Sequence, residues 1–187
     1  MSDAISALAG AHSSGMVEIA EAGLKGMITL RGDLSSGAIA KAVNDATGAA
    51  IPAQRRVETG AKGLAIWMSP DELLLVVDYA TVTQTVTALE RALAGEFALA
   101  VNVSDARAVF TLKGAQARDV LAKVCPVDFA DFAEGEVRRT RAAQVAAAIW
   151  RGADNEWTLV CFRSVAQYMF DLLSTVARPG GEVGLYA

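Results

Sequence analysis

The sequence predicts an α+β fold built from two tandem halves related by internal duplication. One sign is that three motifs recur in the same order: Thr29-Leu30-Arg31-Gly32 as Thr111-Leu112-Lys113-Gly114, Ile66-Trp67 as Ile149-Trp150, and Glu72 with Leu75-Val76 as Glu156 with Leu159-Val160. The separations are 82, 83 and 84 residues. Solenoid repeats have much shorter periods, of about 20 to 50 residues. The repeat therefore indicates a duplicated subdomain.

A second sign is the order of elements, which predicts β-α-β-β-α-β in each half. This is the split, ferredoxin-like arrangement, in which crossover connections place both helices on one face of an antiparallel sheet. We divide the chain into a flexible N-terminal arm at residues 1–16, a first half at 17–103 and a second half at 104–187. We expect the two halves to form one compact pseudo-symmetric unit.

The first half begins with a probable strand at Val17, followed by a strand bounded by glycines at 26–32. Ser35 and Ser36 offer N-cap side chains to a helix over 38–46. After a polar loop, the remaining predicted elements are a hairpin over 64–78 with its turn at Ser69-Pro70-Asp71, an amphipathic helix over 81–93 and a strand over 97–103.

The second half repeats this order. We predict a strand at 109–112, a helix at 115–124, a hairpin over 145–162 that turns at residues 152–155, a helix at 165–176 and a closing strand at 183–186. Matched positions are expected to be structural. They include Gly32 and Gly114, Trp67 and Trp150, with Cys125 and Pro126 at the end of a helix.

Composition excludes several classes of function. The net charge is −4, so the chain lacks the cationic excess that nucleic-acid binding requires, and we expect no nucleic-acid partner. No apolar run approaches the about 20 residues that span a bilayer, so no membrane partner is expected. The N-terminus has no secretory pattern, which favours a cytoplasmic location. Cys125 and Cys161 are far apart and are expected to be buried, reduced thiols.

Few residues suggest chemistry. The single histidine, His12, lies in the predicted arm, and neither a Cys/His metal pattern nor a phosphate-binding glycine loop occurs. Asp128 and Asp131 form a spaced carboxylate pair that would need burial to act as acid and base. We therefore predict no catalytic, cofactor-binding or metal-binding residues in this chain.

Arg138, Arg139 and Arg141 form the densest basic cluster. Two interpretations remain open for it. One is a solvated strand or loop edge, which is the usual position of a charge run. The other is a partner interface that docks on an acidic surface or binds a carboxylate.

Several ordered motifs resemble the gamma subunit of heterotetrameric sarcosine oxidase. They are Asn102-Val103-Ser104-Asp105, Leu112-x-Gly114, Ala117-Arg118-Asp119-Val120-Leu121, Cys125-Pro126-Val127-Asp128, Arg163-Ser164-x-Ala166-x-Tyr168 and, in the first half, residues 69–75. The resemblance covers residues 17–176 and is strongest after Val101. Leu73 departs from it, since the family pattern leads us to expect an aromatic residue there.

The resemblance implies a non-catalytic subunit that stabilises a cytoplasmic oxidoreductase complex with alpha, beta and delta subunits. Such a complex demethylates sarcosine oxidatively to glycine, with formation of peroxide and methylene-tetrahydrofolate. FAD, FMN, NAD, zinc and tetrahydrofolate are then implied for the partner subunits and not for this chain. The gamma subunit in turn resembles the folate-binding aminomethyltransferase, or glycine cleavage T-protein, fold.

A different function also fits the sequence. The chain could be a stand-alone folate-binding or aminomethyltransferase-like protein, with a ligand cleft between the halves. Asp128, Asp131 and the three arginines would supply the convergent polar groups that such a cleft needs.

Overall fold

The computed structural model describes residues 4–186. Within them the elements follow the order β1 (His12–Ser14), β2 (Glu18–Glu21), β3 (Gly26–Arg31), α1 (Gly37–Thr47), β4 (Val57–Thr59), β5 (Leu64–Ser69), β6 (Glu72–Val77), α2 (Val82–Ala92), β7 (Leu99–Asn102), β8 (Arg107–Lys113), α3 (Ala117–Ala122), β9 (Val137–Ala142), β10 (Val145–Arg151), β11 (Glu156–Phe162) and α4 (Ala166–Val176). None of these helices is long and apolar enough to cross a bilayer. The chain forms two units, one of residues 24–104 and one that combines the N-terminal segment up to residue 23 with the segment from residue 105 onward.

The unit of residues 24–104 contains a five-stranded antiparallel sheet in the order β4-β5-β6-β3-β7. Its four strands other than β4 have the ferredoxin-like order, which confirms the predicted fold class. Apolar residues at alternate positions of the strands, such as Ile28, Leu30 and Leu75, pack with the buried sides of α1 and α2 around Ile39 and Leu89. Both helices therefore share one core with one face of the sheet.

The other unit has a six-stranded sheet in the order β1-β2-β8-β11-β10-β9. Its core includes Phe110, Leu159 and Trp157 from the strands, together with Val120 from α3 and Met169 from α4. The order β2-β8-β11-β10 in this sheet corresponds to the order β7-β3-β6-β5 in the first sheet. β2 thus has the position that β7 has there. This last strand therefore comes from the N-terminus of the chain rather than from its C-terminus.

The structure corrects three boundaries of the sequence prediction. Residues 1–16 are not wholly a loose arm, because His12–Ser14 pairs with β2, although residues 1–3 lie outside the described part. The segment from Val17 belongs with the second half and not with residues 17–103, because Val17 and Ile19 are buried in its core. Residues 183–186 form no strand, because β2 already occupies the edge of β8.

Besides β1, two further strands lie in segments where no strand was predicted. β4 falls within the predicted polar loop at 52–60, and β9 carries the arginine cluster. Both have too little apolar alternation to signal a strand. Both are nevertheless held by pairing with the neighbouring strand of a hairpin, β5 and β10 respectively.

Cross-strand pairing shows how closely the two units correspond. Arg31 is paired in register with Glu72 and forms an ion pair with it at 2.7 Å, and Lys113 does the same with Glu156 at 2.6 Å. The residue opposite Leu30 is Leu73, whereas the residue opposite Leu112 is Trp157. Leu73 and Trp157 are thus equivalent, as the sequence comparison indicated.

The two tryptophans of the repeated Ile-Trp motif are not equivalent. Trp67 lies opposite Leu73, but Trp150 lies opposite Thr158, which places it one position further along the hairpin. A shift of one residue turns a side chain to the other face of a sheet. Trp150 is 8% exposed and Trp67 is half-buried, so both pack as structural residues in different surroundings.

The matched glycines end equivalent strands, β3 and β8. A Cβ at Gly32 would lie 2.7 Å from Ile39 Cδ1, closer than carbon atoms pack. Gly114 has a φ of 137°, a conformation that side-chain-bearing residues rarely adopt. Each glycine therefore permits a turn that other residues would strain.

The burial of β2 gives a direct stability test. We expect Ile19→Ala to lower the free energy of unfolding by about 2 to 4 kcal/mol, because Ile19 is 0% exposed in the core. Ile5→Ala is the matched control, since Ile5 is 64% exposed and its truncation should change stability by no more than about 0.5 kcal/mol. Urea denaturation measures both. Equal, small effects would contradict the assignment of β2 to this core.

Candidate functional site

A groove of about 510 Å³ runs along α1 and α2 in the unit of residues 24–104. Its walls combine small apolar side chains such as Ala42 and Ala88 with polar groups such as Asp45 and Lys62. Asp45 forms an ion pair with Lys41 at 2.6 Å, and Lys62 Nζ donates to the backbone carbonyl of Asp45 at 3.0 Å. The groove has room for a small ligand. The hydroxyls of Thr81 and Thr85 also line it, and they donate to the backbone carbonyls of Asp78 and Thr81.

The repeated carboxylate Glu72 and the candidate carboxylate Asp128 have structural contacts. Glu72 is 9% exposed and accepts hydrogen bonds from Arg31 Nε at 3.2 Å and Nη2 at 2.7 Å. Asp128 accepts from the backbone N–H of Ala130 at 2.9 Å and so fixes a local turn, and Asp131 is exposed. Within residues 4–186 no group of three His, Cys, Asp or Glu residues is placed to hold a metal ion.

His12 lies on β1 with its side chain half exposed. Its Nε2 is 2.7 Å from Glu18 Oε2 on the paired strand β2. A cross-strand contact of this kind stabilises strand pairing. The contact that the structure gives the His12 imidazole is this cross-strand pair with Glu18.

The arginine cluster is divided between the two faces of β9. Arg138 is partly buried, forms an ion pair with Glu136 and lies 5.1 Å above the ring of Phe132. Arg139 and Arg141 are exposed and point to the other face. The cluster thus has one packed member and two that face solvent.

Both cysteines are free and buried, as the sequence predicts. Burial raises the pKa of the Cys125 thiol to about 12. Burial also raises the pKa of Cys161 to about 11, against a smaller opposing effect of the Arg107 charge. A thiol must ionise to act as a nucleophile, so neither cysteine is suited to catalysis. The neighbouring Pro126 is exposed in the loop that follows α3.

An aromatic cluster in the unit of β8 to β11 escaped the sequence search. Phe129 and Phe132 stack with ring centroids 5.7 Å apart, and Phe132 meets Trp157 edge-on at 4.7 Å. The sequence pattern that indicates this cluster is the pair of phenylalanines, Phe129 and Phe132, in an otherwise polar loop. They anchor that loop, since Phe129 is 0% exposed and its N–H donates to Tyr186 Oη at 3.3 Å.

A buried carboxylate near the N-terminus was missed for a different reason. Glu21 is 5% exposed and accepts from Ser6 Oγ at 2.8 Å and from the N–H of Gly10 at 2.9 Å. Arg163 donates to the carbonyls of Ile5 and Ser6. These bonds join segments far apart in the chain, and no local pattern indicates them.

The motifs that carry the family resemblance are also engaged in internal bonds. Asn102 Oδ1 accepts from Ser104 Oγ at 2.6 Å, and Ser104 Oγ accepts from the N–H of Met27 at 2.9 Å. Asp119, 8% exposed, accepts from the N–H of Tyr186 at 3.0 Å. The fold and these contacts define a ferredoxin-like α+β protein in which the distinctive polar residues hold the backbone.

A profile of the sarcosine oxidase gamma subunit family matches residues 31–178. The chain therefore belongs to this family. No match is found among curated proteins.

Solved structures agree with this assignment. A chain of heterotetrameric sarcosine oxidase from Corynebacterium sp. U-96, in complex with pyrrole 2-carboxylate, is 25% identical, with 89% of this chain and 87% of that chain covered and a TM-score of 0.79. Aminomethyltransferase T of the glycine cleavage system from Bartonella henselae is 14% identical, with 80% of this chain and 43% of that chain covered and a TM-score of 0.59. The second likeness shows a shared fold.

The buried thiols predict low chemical reactivity. At pH 8 we expect a disulfide reagent such as DTNB to label either cysteine of the folded chain about 100-fold or more slowly than the unfolded chain, because so little thiolate is present. Cys125→Ala and Cys161→Ala variants assign the two rates. A fast-reacting thiol in the folded chain would contradict the burial of that residue.

The same pKa shift predicts a pH dependence of stability. The folded state holds Cys125 protonated up to a pKa of about 12, whereas its ordinary pKa is 9.0. This stabilisation is fully present below pH 9 and is lost as the pH rises toward 12, at up to about 1.4 kcal/mol per pH unit. The free energy of unfolding, measured with urea, should therefore fall less between pH 8 and pH 10 for Cys125→Ala than for the natural chain. Equal losses would contradict the shift.

Proposed function

We propose that the chain is a non-catalytic gamma subunit that stabilises a heterotetrameric sarcosine oxidase together with alpha, beta and delta subunits. The observation that carries the proposal is the combination of the family match with the internal bonding of the motif residues Asn102, Ser104 and Asp119. These residues lie in the motifs that carry the family resemblance, and each bonds within the chain itself, so we infer that they serve the fold. A subunit with this role contributes a surface rather than a reaction.

The chemistry of such a complex then belongs to its other subunits. FAD, FMN, NAD, zinc and tetrahydrofolate would be held there, and the sarcosine methyl group would be oxidised there with formation of glycine, peroxide and methylene-tetrahydrofolate. The buried, protonated thiols of Cys125 and Cys161 support this division, as neither is suited to covalent catalysis.

Co-expression with the alpha, beta and delta subunits of the same organism tests the proposal. We expect the chain to co-purify in a stoichiometric complex, and omission of the chain to lower the thermal midpoint of the remaining subunits, because a bound partner stabilises the folded state. A chain that stays separate from these subunits would contradict the proposal.

A stand-alone folate-binding protein is the competing function, and the groove along α1 and α2 is one place where the described structure has room for a ligand. Calorimetric titration of the isolated chain with tetrahydrofolate separates the two. We expect no binding heat at micromolar concentrations. Binding that is abolished by Ala88→Trp, which would fill the groove, would favour the competing function.

We further propose that the exposed arginines of β9 face an acidic surface of a partner subunit. Exposed charges act mainly on association rates, and their effect is screened by salt. We expect Arg141→Glu to slow association with the partner subunits about threefold to tenfold at low ionic strength, and less at 0.5 M salt. Arg178→Glu, at another exposed position of the same unit, is the control. Equal rates for both variants would contradict a role of β9.

A further inference from the structure

The outer edge of β7 is an apolar strand exposed to solvent. Phe97 just before it is fully exposed, and Leu99 and Val101 within it are 56% and 40% exposed. β7 pairs with β3 on one side only and ends the order of its sheet. Exposed strand edges with apolar side chains are templates for pairing with another strand.

The equivalent edge in the other unit shows what this position can bind. There β2 takes the place of β7, and β1 pairs with its outer side in antiparallel register. Leu99 lies opposite Arg31 in one sheet, and Glu18 lies opposite the equivalent Lys113 in the other sheet, so Leu99 and Glu18 occupy equivalent positions. By the same register Val101 is equivalent to Ala20. This fold therefore accepts a short antiparallel strand at this edge, and in one unit the chain supplies it.

The backbone of β7 is set for the same pairing. Val103 donates its N–H to Met27 at 2.8 Å, and in the other unit Ala22 donates to Val109 at the same distance. Because donors alternate along a strand, the preceding N–H groups, those of Asn102 and Glu21, point outward. Glu21 donates to the carbonyl of Ala11 at 2.8 Å, and by the same register Asn102 and Ala100 present their N–H groups at the open edge of β7.

We propose that an extended segment of a partner subunit of the oxidase pairs antiparallel with β7. The inference rests on the proposed function, which supplies the partner. In the other unit the face of β2 that carries Glu18 meets the polar residues His12 and Ser14. At that face Leu99 stands in place of the polar Glu18, and Val101 stands in place of the smaller Ala20, so the surface of β7 is more apolar. The partner segment therefore has apolar side chains at the two alternate positions opposite them.

A second copy of the chain is a poorer fit to this edge. Two four-residue strands paired through their edges bury far less than the about 1,200 Å² of a stable interface. A partner subunit can pair with β7 and also contact the surface around the strand. Main-chain hydrogen bonds then give affinity, and the side chains opposite Leu99 and Val101 give specificity.

Substitution of the edge tests the inference in the complex. The double variant Leu99→Lys/Val101→Lys places charges where the partner strand would lie, and we expect it to weaken binding to the alpha, beta and delta subunits at least about tenfold. The matched control is Val183→Lys/Leu185→Lys, which charges two residues of similar exposure away from any strand. It should bind within about twofold of the natural chain. Circular dichroism and thermal melting verify that both variants fold.

Hydrogen exchange followed by mass spectrometry gives an independent measurement. Peptides that cover residues 97–104 should exchange more slowly in the complex than in the isolated chain, whereas peptides over 17–23, already paired with β1, should not change. Unchanged exchange at 97–104, or full binding by the double variant, overturns the inference while the proposed function stands. A natural chain that fails to bind the subunits overturns both. Slow exchange in the isolated chain, together with a concentration-dependent dimer, assigns the edge to a second copy and also overturns it.

Discussion

The pairing of β2 with β8 is the interaction on which the second unit depends. It places Ile19 in the core, opposite Leu112, and it gives β8 a neighbour on each side. The N–H of Met16 donates to the carbonyl of Ala177 at 2.8 Å, so the N-terminal segment also meets the end of α4. Glu18 lies 95 residues from its partner Lys113 in the chain. Loop-closure entropy opposes such a contact, so we expect the pairing of β2 with β8 to form late in folding.

The polar residues of this chain act mainly on its own backbone. A buried polar group destabilises the fold unless it is hydrogen-bonded, and Glu21, Ser104 and Asp119 each bond to a backbone N–H. Each of these bonds connects segments that the sequence separates. Here they fix turns and termini, which supports the role proposed for the chain.

The sequence was sufficient for the elements with strong local patterns and insufficient for long-range pairing. Alternation and capping predicted α1 and the hairpin of β5 and β6 nearly to their ends, and Ser36 does cap α1. The placement of β2 failed because strand periodicity does not say which strand is the neighbour. The match of Trp67 with Trp150 was wrong. Sequence similarity aligns the two hairpins with an offset of one residue from the alignment given by their strand pairing. At the site, thiol burial was predictable, but the bonds of Glu21 were not.

The four strands at the edges of the two sheets differ in how their open edges are protected. Folded proteins commonly protect such edges with short strands, polar residues or charges. β1 and β4 have only three residues each, and β9 carries Arg139 and Arg141. β7 is the exception, since three of its four residues are exposed and two of these, Leu99 and Val101, are apolar, with Phe97 beside them. Exposed apolar edges promote aggregation unless something covers them. Protection of three edges beside an apolar fourth edge is the pattern expected of a chain that pairs through β7, which supports the proposed contact with a partner subunit.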